Sequence, residues 1–223
     1  MSLLSLFYPK TCRLCGGVLP DVQHILCESC LQKGEYYFYK SFRVDGADGA
    51  DAPLVYQGFV RRAMQDYKFR GKRSYADWFA QMTGDCLEGY WDEWQPDCVT
   101  FVPLGLKRWL KRGYNQSAVV SRLVAKRFSL PCVRTMTRRR GSAVQSTLTH
   151  EARAANVQHA FALRKNVDLT GKRVLLLDDV VTTGSTVTVC TELLRQAGAQ
   201  AVFVLGMTKT PPRPEKGTNS DLL

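Results

Sequence analysis

The hydrophobic pattern divides the chain into short apolar runs and longer amphipathic stretches. The apolar run at residues 174–177, and the run at 98–102 that only Thr100 interrupts, are typical of parallel strands that are buried on both faces. Several other stretches repeat apolar residues every three or four positions, which predicts helices. These helical stretches are residues 59–70, 75–91, 119–128 and 189–197. Alternating strands and helices predict an α/β fold, with a mainly parallel sheet flanked by helices.

The segment before the first predicted helix is less regular. Residues 36–44 have a strand-forming composition, and a turn-rich loop separates them from a second apolar piece at 54–56. This predicts either a β-hairpin or an entry strand that leads into the main domain. We therefore divide the chain into four parts. These are a cysteine module (1–35), connecting strands or a hairpin (36–58), the main domain (59–208) and a Pro- and Gly-containing tail predicted to be disordered (209–223).

Length and charge narrow the range of partners. The 223 residues are enough for one sizeable domain and a small appendage. The formal net charge of +11 favours anionic partners such as phosphorylated metabolites, nucleic acid or acidic surfaces. No run approaches the roughly 18 apolar residues that span a bilayer, and the N-terminal stretch lacks the features of a signal peptide. We expect a cytoplasmic protein without a membrane span.

Four of the cysteines form a Cys-x2-Cys-x11-Cys-x2-Cys pattern near the N-terminus. They are Cys12, Cys15, Cys27 and Cys30. Two such knuckles place four thiolates around one Zn²⁺, and metal binding supplies folding energy to a segment too small for its own core. Because thiolates fill all four positions, this zinc would be structural rather than catalytic. A redox pair and an iron–sulfur cluster are the alternatives.

The predicted strand at 174–177 leads into two adjacent carboxylates, Asp178 and Asp179. A loop of small residues with hydroxyl groups follows, and a helix begins after it. The loop residues are Thr182, Thr183, Gly184, Ser185 and Thr186. Backbone N–H groups at the start of a helix bind phosphate, and paired carboxylates accept hydrogen bonds from a sugar diol, directly or through Mg²⁺. We interpret the segment as a phosphosugar site; the alternative is an ordinary strand-to-helix turn.

A second basic segment follows the strand at 98–102, which Pro103 ends. Its cations are Lys107, Arg108, Lys111 and Arg112. A strand, a glycine-containing basic loop and a helix again suit the capture of an anion, and these four side chains carry enough charge to neutralise a diphosphate.

The segment from Asp178 to Thr186 resembles the phosphoribosyl-pyrophosphate (PRPP) motif of type I phosphoribosyltransferases. Val102-Pro-Leu together with Lys111-Arg-Gly-Tyr-Asn-Gln-Ser117 resembles, more narrowly, the ComF/GntX-type (competence protein F) family. Members of that family join an N-terminal four-cysteine zinc module to a phosphoribosyltransferase domain, and the similarity spans roughly residues 10–208. The resemblance implies a type I phosphoribosyltransferase fold with a small N-terminal zinc ribbon.

The resemblance also implies roles for individual residues. The two carboxylates would hold the ribose hydroxyls of Mg²⁺–PRPP, and the Thr/Gly/Ser loop would wrap its 5′-phosphate. The segment 135–161 corresponds by position to the flexible loop that closes over PRPP. From that segment we expect Arg153 and Asn156 to reach the ligand, with Arg153 joining Asp178 and Asp179 in catalysis.

The family points towards natural competence, with single-stranded DNA and competence proteins as expected partners. Two hypotheses stay open at this level. One is an active phosphoribosyltransferase of unknown acceptor. The other is a non-catalytic PRPP- or nucleotide-sensing accessory protein of transformation that associates with single-stranded DNA. The sequence shows no recognisable pocket for an acceptor base and does not decide between them.

Overall fold

The structure is a computed structural model that describes residues 11–12, 17–19, 26–29, 41–139 and 159–211. Its strands are β1 (Gly49–Asp51), β2 (Leu54–Val55), β3 (Cys98–Phe101), β4 (Met136–Arg138), β5 (Phe161–Leu163), β6 (Arg173–Val181) and β7 (Ala201–Lys209). Its helices are α1 (Gly58–Phe69), α2 (Tyr75–Gly89), α3 (Trp91–Trp94), α4 (Leu106–Arg112), α5 (Gln116–Arg127) and α6 (Ser185–Gln196). The predicted α/β alternation is confirmed.

The main sheet is parallel throughout the described residues. Its order is β1-β7-β6-β3, and β2 also pairs with β7, further along the same strand. The connecting segment therefore supplies two strands to the main sheet, and these strands pair with β7 rather than with each other. The order brings the carboxyl ends of β3 and β6 side by side. Open α/β sheets bind ligands at this edge.

Alternate residues of β6 face two different hydrophobic clusters. Leu175 and Leu177 pack into the cluster that contains apolar residues of α1, α2 and α5. Val174 and Leu176 pack on the opposite face, with residues of α6 and of the β4–β5 pair. Both faces of the strand are covered, which explains why residues 174–177 are all apolar and all buried.

The stretch predicted as one helix at 75–91 is two helices, α2 and α3, separated at Tyr90. Tyr90 leaves helical geometry, with φ −109° and ψ 6°. Its hydroxyl donates to the buried carboxylate of Asp51 at 2.6 Å, and its ring stacks on Trp94 at 4.4 Å between centroids. These tertiary contacts fix the break, and the helical periodicity of the sequence does not report them.

Strand β6 continues beyond its apolar run because its neighbour β7 is long, whereas its other neighbour, β3, is short. On one side, β7 continues the ladder as far as Val181 and Lys209, so Lys209 belongs to a strand rather than to the predicted tail. On the other side, the ladder ends where the Val102 N–H donates to the Leu177 carbonyl at 3.0 Å, next to Pro103. From Asp178 onwards, therefore, β6 has no strand partner on the side of β3 among the described residues.

The basic segment, predicted as a loop, folds as the seven-residue helix α4. Gly113 ends the helix in the left-handed region at φ 75°, which favours glycine. Asn115 then caps α5 by accepting a hydrogen bond from the Ala118 N–H at 3.4 Å. Strands β4 and β5 form an antiparallel pair at the two ends of the segment 135–161, whose central residues 140–158 lie outside the described residues.

Candidate anion-binding site

Asp178 lies almost buried at the point where β6 loses its pairing with β3, with 9% of its surface exposed. Its Oδ1 accepts hydrogen bonds from the Asp179 N–H at 2.8 Å and from the Ser117 hydroxyl at 3.4 Å. Burial, followed by the negative charge of Asp179, raises the pKa of Asp178 from 3.8 to about 7. Carboxyl groups whose pKa is shifted by burial and a neighbouring charge cluster at functional sites.

Asp179 has a different environment. Its Oδ1 lies 2.6 Å from the Lys68 Nζ, and the side chains are only 17% and 13% exposed, respectively. Lys68 is the penultimate residue of α1, and sequence reasoning did not assign it to the site. The only available signal was its place in the basic stretch 59–70, where the neighbouring cations Arg61, Arg62 and Arg70 are exposed.

The loop that was predicted to bind phosphate joins the end of β6 to α6. Gly184 adopts φ +90°, and α6 begins at Ser185, so Ser185 and Thr186 belong to the first helical turn rather than to the loop. The Thr183 and Ser185 hydroxyl oxygens lie 2.9 Å apart. The first turn of α6 carries no acidic residue. Its backbone N–H groups and dipole therefore favour an anion.

Lys209 also contacts the loop, although sequence reasoning did not assign this residue to the site. Its ammonium donates to the Thr182 carbonyl and lies 5.2 Å from the centre of the Phe42 ring. Burial lowers the pKa of Lys209. Lys209 is the last residue of β7, the strand that pairs with the end of β6. The length of β7 therefore places a cation in contact with the loop 182–184.

The four predicted diphosphate ligands divide into two kinds. Lys107, Arg108 and Lys111 are exposed on α4. Arg112 is half-buried: its guanidinium lies 4.6 Å from the Phe69 ring centre and donates to the Gln116 Oε1 at 3.0 Å. Burial lowers the pKa of Arg112, and the negative charge of Asp179 opposes that shift.

A groove of about 730 Å³ lies beside α4 and was not anticipated from the sequence. Its lining combines aromatic and aliphatic side chains with the guanidinium groups of Arg122, Arg134 and Arg138. Trp109 contributes an indole ring that is 48% exposed. The groove lining includes no acidic residue. Its chemistry suits an anion with an apolar or aromatic part.

Several predicted residues lie outside the described part of the chain. Arg153 and Asn156 are among them, as are Cys15 and Cys30. Of the remaining cysteines, Cys12 is buried, and its N–H donates to the Gly17 carbonyl at 2.7 Å. Because two of the four thiolates lie outside the described residues, zinc ligation stays a prediction.

Mg²⁺ prefers oxygen ligands and keeps several waters, so one or two carboxylates together with substrate oxygens are enough to hold it. The adjacent carboxylates of Asp178 and Asp179, at an open strand edge next to a phosphate loop, fit that requirement. Among the described residues, no helix has the length and apolar character required to cross a membrane.

Comparison with known proteins agrees with this geometry. Residues 115–217 match the family model of the phosphoribosyl transferase domain. This range contains the carboxylate pair, the loop 182–184 and α6, so this part of the chain resembles a phosphoribosyl transferase domain. Among solved structures, a hypoxanthine phosphoribosyltransferase from Staphylococcus aureus matches with 16% identity and a TM-score of 0.41, over 64% of this chain and 69% of that chain.

Two curated relatives match about half of the chain and point to a more specific group of proteins. DNA utilization protein YhgH of Escherichia coli (strain K12) is 37% identical over 118 residues, covering 52% of this chain and 50% of that protein. Competence protein F of Haemophilus influenzae is 33% identical over 117 residues, covering 51% of each chain. The chain therefore spans about half the length of the curated relatives it matches. The resemblance to the competence protein F family is confirmed over the phosphoribosyl transferase domain.

Proposed function

We propose that the domain binds Mg²⁺–PRPP and transfers its phosphoribosyl group to an acceptor. The 5′-phosphate would lie on the loop 182–184 and the start of α6. The ribose hydroxyls would be held by Asp178 and Asp179. The observation that carries this proposal is the direct connection of a shielded carboxylate pair, through a left-handed Gly184, to the N-terminus of a helix whose first turn carries no acidic residue.

Each part of the site has a role in the transfer. Breaking the bond between C1′ and the pyrophosphate oxygen leaves positive charge on the ribose and negative charge on the leaving group. Asp178 and Asp179 would fix the sugar and favour the positive charge, while the cations of α4 would stabilise the departing pyrophosphate. These cations are Lys107, Arg108, Lys111 and Arg112. Bound Mg²⁺ would supply Lewis-acid stabilisation of the phosphate oxygens. The acceptor then attacks C1′.

Calorimetry of Mg²⁺–PRPP binding tests this assignment. We expect the Asp178→Asn/Asp179→Asn double variant to bind about two orders of magnitude more weakly than wild type, because two charge-assisted contacts are lost. Asp168→Asn is the matched control, since Asp168 is an exposed carboxylate that bonds to Thr170 in the turn before β6. Equal affinity of the double variant and wild type would contradict the proposal.

A second candidate is association with single-stranded DNA, with or without transfer. The observation that favours it is the groove beside α4, which combines an exposed Trp109 with the guanidinium groups of Arg122 and Arg134. Aromatic rings stack on bases and arginines neutralise phosphates in sites of this kind. The names of the relatives, DNA utilization protein and competence protein, point in the same direction. Release of pyrophosphate from PRPP in the presence of an acceptor distinguishes transfer from sensing.

A further inference from the structure

We propose that Lys68 is a resident counter-ion of Asp179 that keeps divalent cations out of the site until the phosphoribosyl ligand arrives. The inference rests on the proposed function and extends it, because it says how the site controls metal entry. Lys68 is a positioning residue in this scheme. It acts through Asp179 and does not react with the ligand.

The ion pair occupies an oxygen that a metal would need. The Lys68 Nζ lies 2.6 Å from the Asp179 Oδ1, at hydrogen-bonding distance, and more than four-fifths of each side chain is shielded from solvent. Shielding strengthens the attraction between the two charges relative to a pair at the surface. A divalent cation that approaches Asp179 must therefore displace an ammonium that is already bound.

The position of Lys68 is fixed by the residues on either side of it. The Tyr67 side chain is fully buried, its hydroxyl donates to the Gln116 carbonyl at 3.3 Å, and its own carbonyl accepts from the Tyr114 hydroxyl. On the other side, the Phe69 ring lies under the guanidinium of Arg112. The end of α1 thus contacts the end of α4, the connection to α5 and the start of α5, and these contacts hold the Lys68 backbone in place.

A neighbouring lysine shows what an ordinary pair looks like. Lys72 lies 2.6 Å from Asp66, but its side chain is 44% exposed, and Asp66 also pairs with Arg70. Pairs of this kind contribute little and leave the cation free to exchange with solvent. Lys68 differs because it is shielded and because its partner belongs to the carboxylate pair of the site.

The arrangement makes metal binding depend on ligand. Bare Mn²⁺ or Mg²⁺ would replace the ammonium without offering it a new partner, and an unpaired cation in a shielded place is unfavourable. PRPP brings phosphate oxygens with it, to which Lys68 can transfer its hydrogen bonds. Metal and ligand should therefore bind with positive coupling, and that coupling should depend on the charge of Lys68.

Electron paramagnetic resonance of Mn²⁺ measures this directly. In wild type we expect PRPP to tighten Mn²⁺ binding to the protein about tenfold or more, after correction for a protein-free blank, because one charge interaction is worth about one such factor. Lys68→Met should bind bare Mn²⁺ about tenfold more tightly than wild type and lose most of the coupling. Lys68→Arg, which keeps the charge, should resemble wild type.

Two variants complete the design. Lys72→Met removes a lysine four residues away and should leave Mn²⁺ binding unchanged. Adding Asp179→Asn to Lys68→Met should abolish the gained affinity, which places the metal at this carboxylate. The inference is overturned if wild type binds PRPP but shows no coupling to Mn²⁺, or if Lys68→Met binds bare Mn²⁺ as wild type does. Failure of wild type and all variants to bind PRPP would instead overturn the proposed function.

Discussion

The carboxylate corner, made of Asp178, Asp179 and the loop 182–184, and the basic helix α4 lie at the same edge of the sheet but are built differently. The corner continues a strand that is buried on both faces, and shielded partners fix both carboxylates. Helix α4 has no buried residue, and three of its four cations are exposed. The hydrophobic core therefore fixes the geometry of the carboxylate corner. Helix α4 instead contributes positive charge through long, exposed side chains.

The largest effect that we expect from this difference concerns pH. Burial and the charge of Asp179 raise the pKa of Asp178 to about 7 in the folded protein, from 3.8 without these influences. The folded state thus holds a proton at Asp178 that the unfolded state releases, and the contribution of this carboxyl to the free energy of unfolding falls as pH rises from about 4 towards 7. The loss is about 1.4 kcal/mol per pH unit at most, up to a few kcal/mol in total.

Urea unfolding at several pH values checks this dependence. Asp178→Asn cannot ionise, so the free energy of unfolding of the variant should rise relative to wild type as pH increases through this range. Subtracting the free energy of unfolding of wild type from that of the variant removes the contribution of every other titrating group. Neutralising a cation of α4, as in Lys107→Gln, should leave the difference flat. A difference between Asp178→Asn and wild type that does not vary with pH would show that the corner is not a shielded environment.

Sequence patterns predicted the corner better than the basic helix. The apolar run 174–177, the carboxylates and the glycine are contiguous, so local chemistry alone indicated a strand, an anion site and a helix. Lys68 lies 111 residues from Asp179 in the sequence, and Lys209 lies 27 residues from Thr182. Only the folded topology places these lysines at the corner. Helix α4 was predicted as a loop because its seven residues are too few to show periodicity.

The next effect concerns Gly184. A side chain at φ +90° costs about 1–2 kcal/mol, because the left-handed region crowds Cβ against the backbone. No heavy atom lies within 4 Å of an added Cβ, so conformational strain is the main cause of any loss. We expect Gly184→Ala to lower the stability by about this amount and to weaken PRPP binding about tenfold, as measured by calorimetry.

Gly171 offers a matched control for that substitution. It too has a positive φ, of +69°, with open space for a Cβ, but it lies in the turn before β6. Gly171→Ala should therefore cost similar stability while leaving the affinity for PRPP unchanged. If both variants lose affinity equally, the loss reflects general destabilisation, and the loop 182–184 has no particular role in holding phosphate.

The smallest effects belong to the exposed cations. Each surface charge contributes little to affinity and is screened by salt, so Lys107→Gln/Lys111→Gln should weaken PRPP binding only about three- to tenfold, with a shallower dependence on salt and no loss of stability. Arg112→Gln should cost more than either lysine, because Arg112 also packs on Phe69 and bonds to Gln116.

The groove arginines separate phosphoribosyl binding from nucleic-acid binding. Arg122→Gln/Arg134→Gln should leave the affinity for PRPP unchanged, while the anisotropy of a labelled oligothymidine should report weaker binding and a salt slope reduced by roughly one to two. The lysine pair on α4 and this arginine pair remove the same charge from neighbouring surfaces, so net charge alone would change both ligands equally. If the lysine variant loses affinity mainly for PRPP and the arginine variant mainly for oligothymidine, α4 is the PRPP-binding surface and the groove is the surface that binds single-stranded DNA.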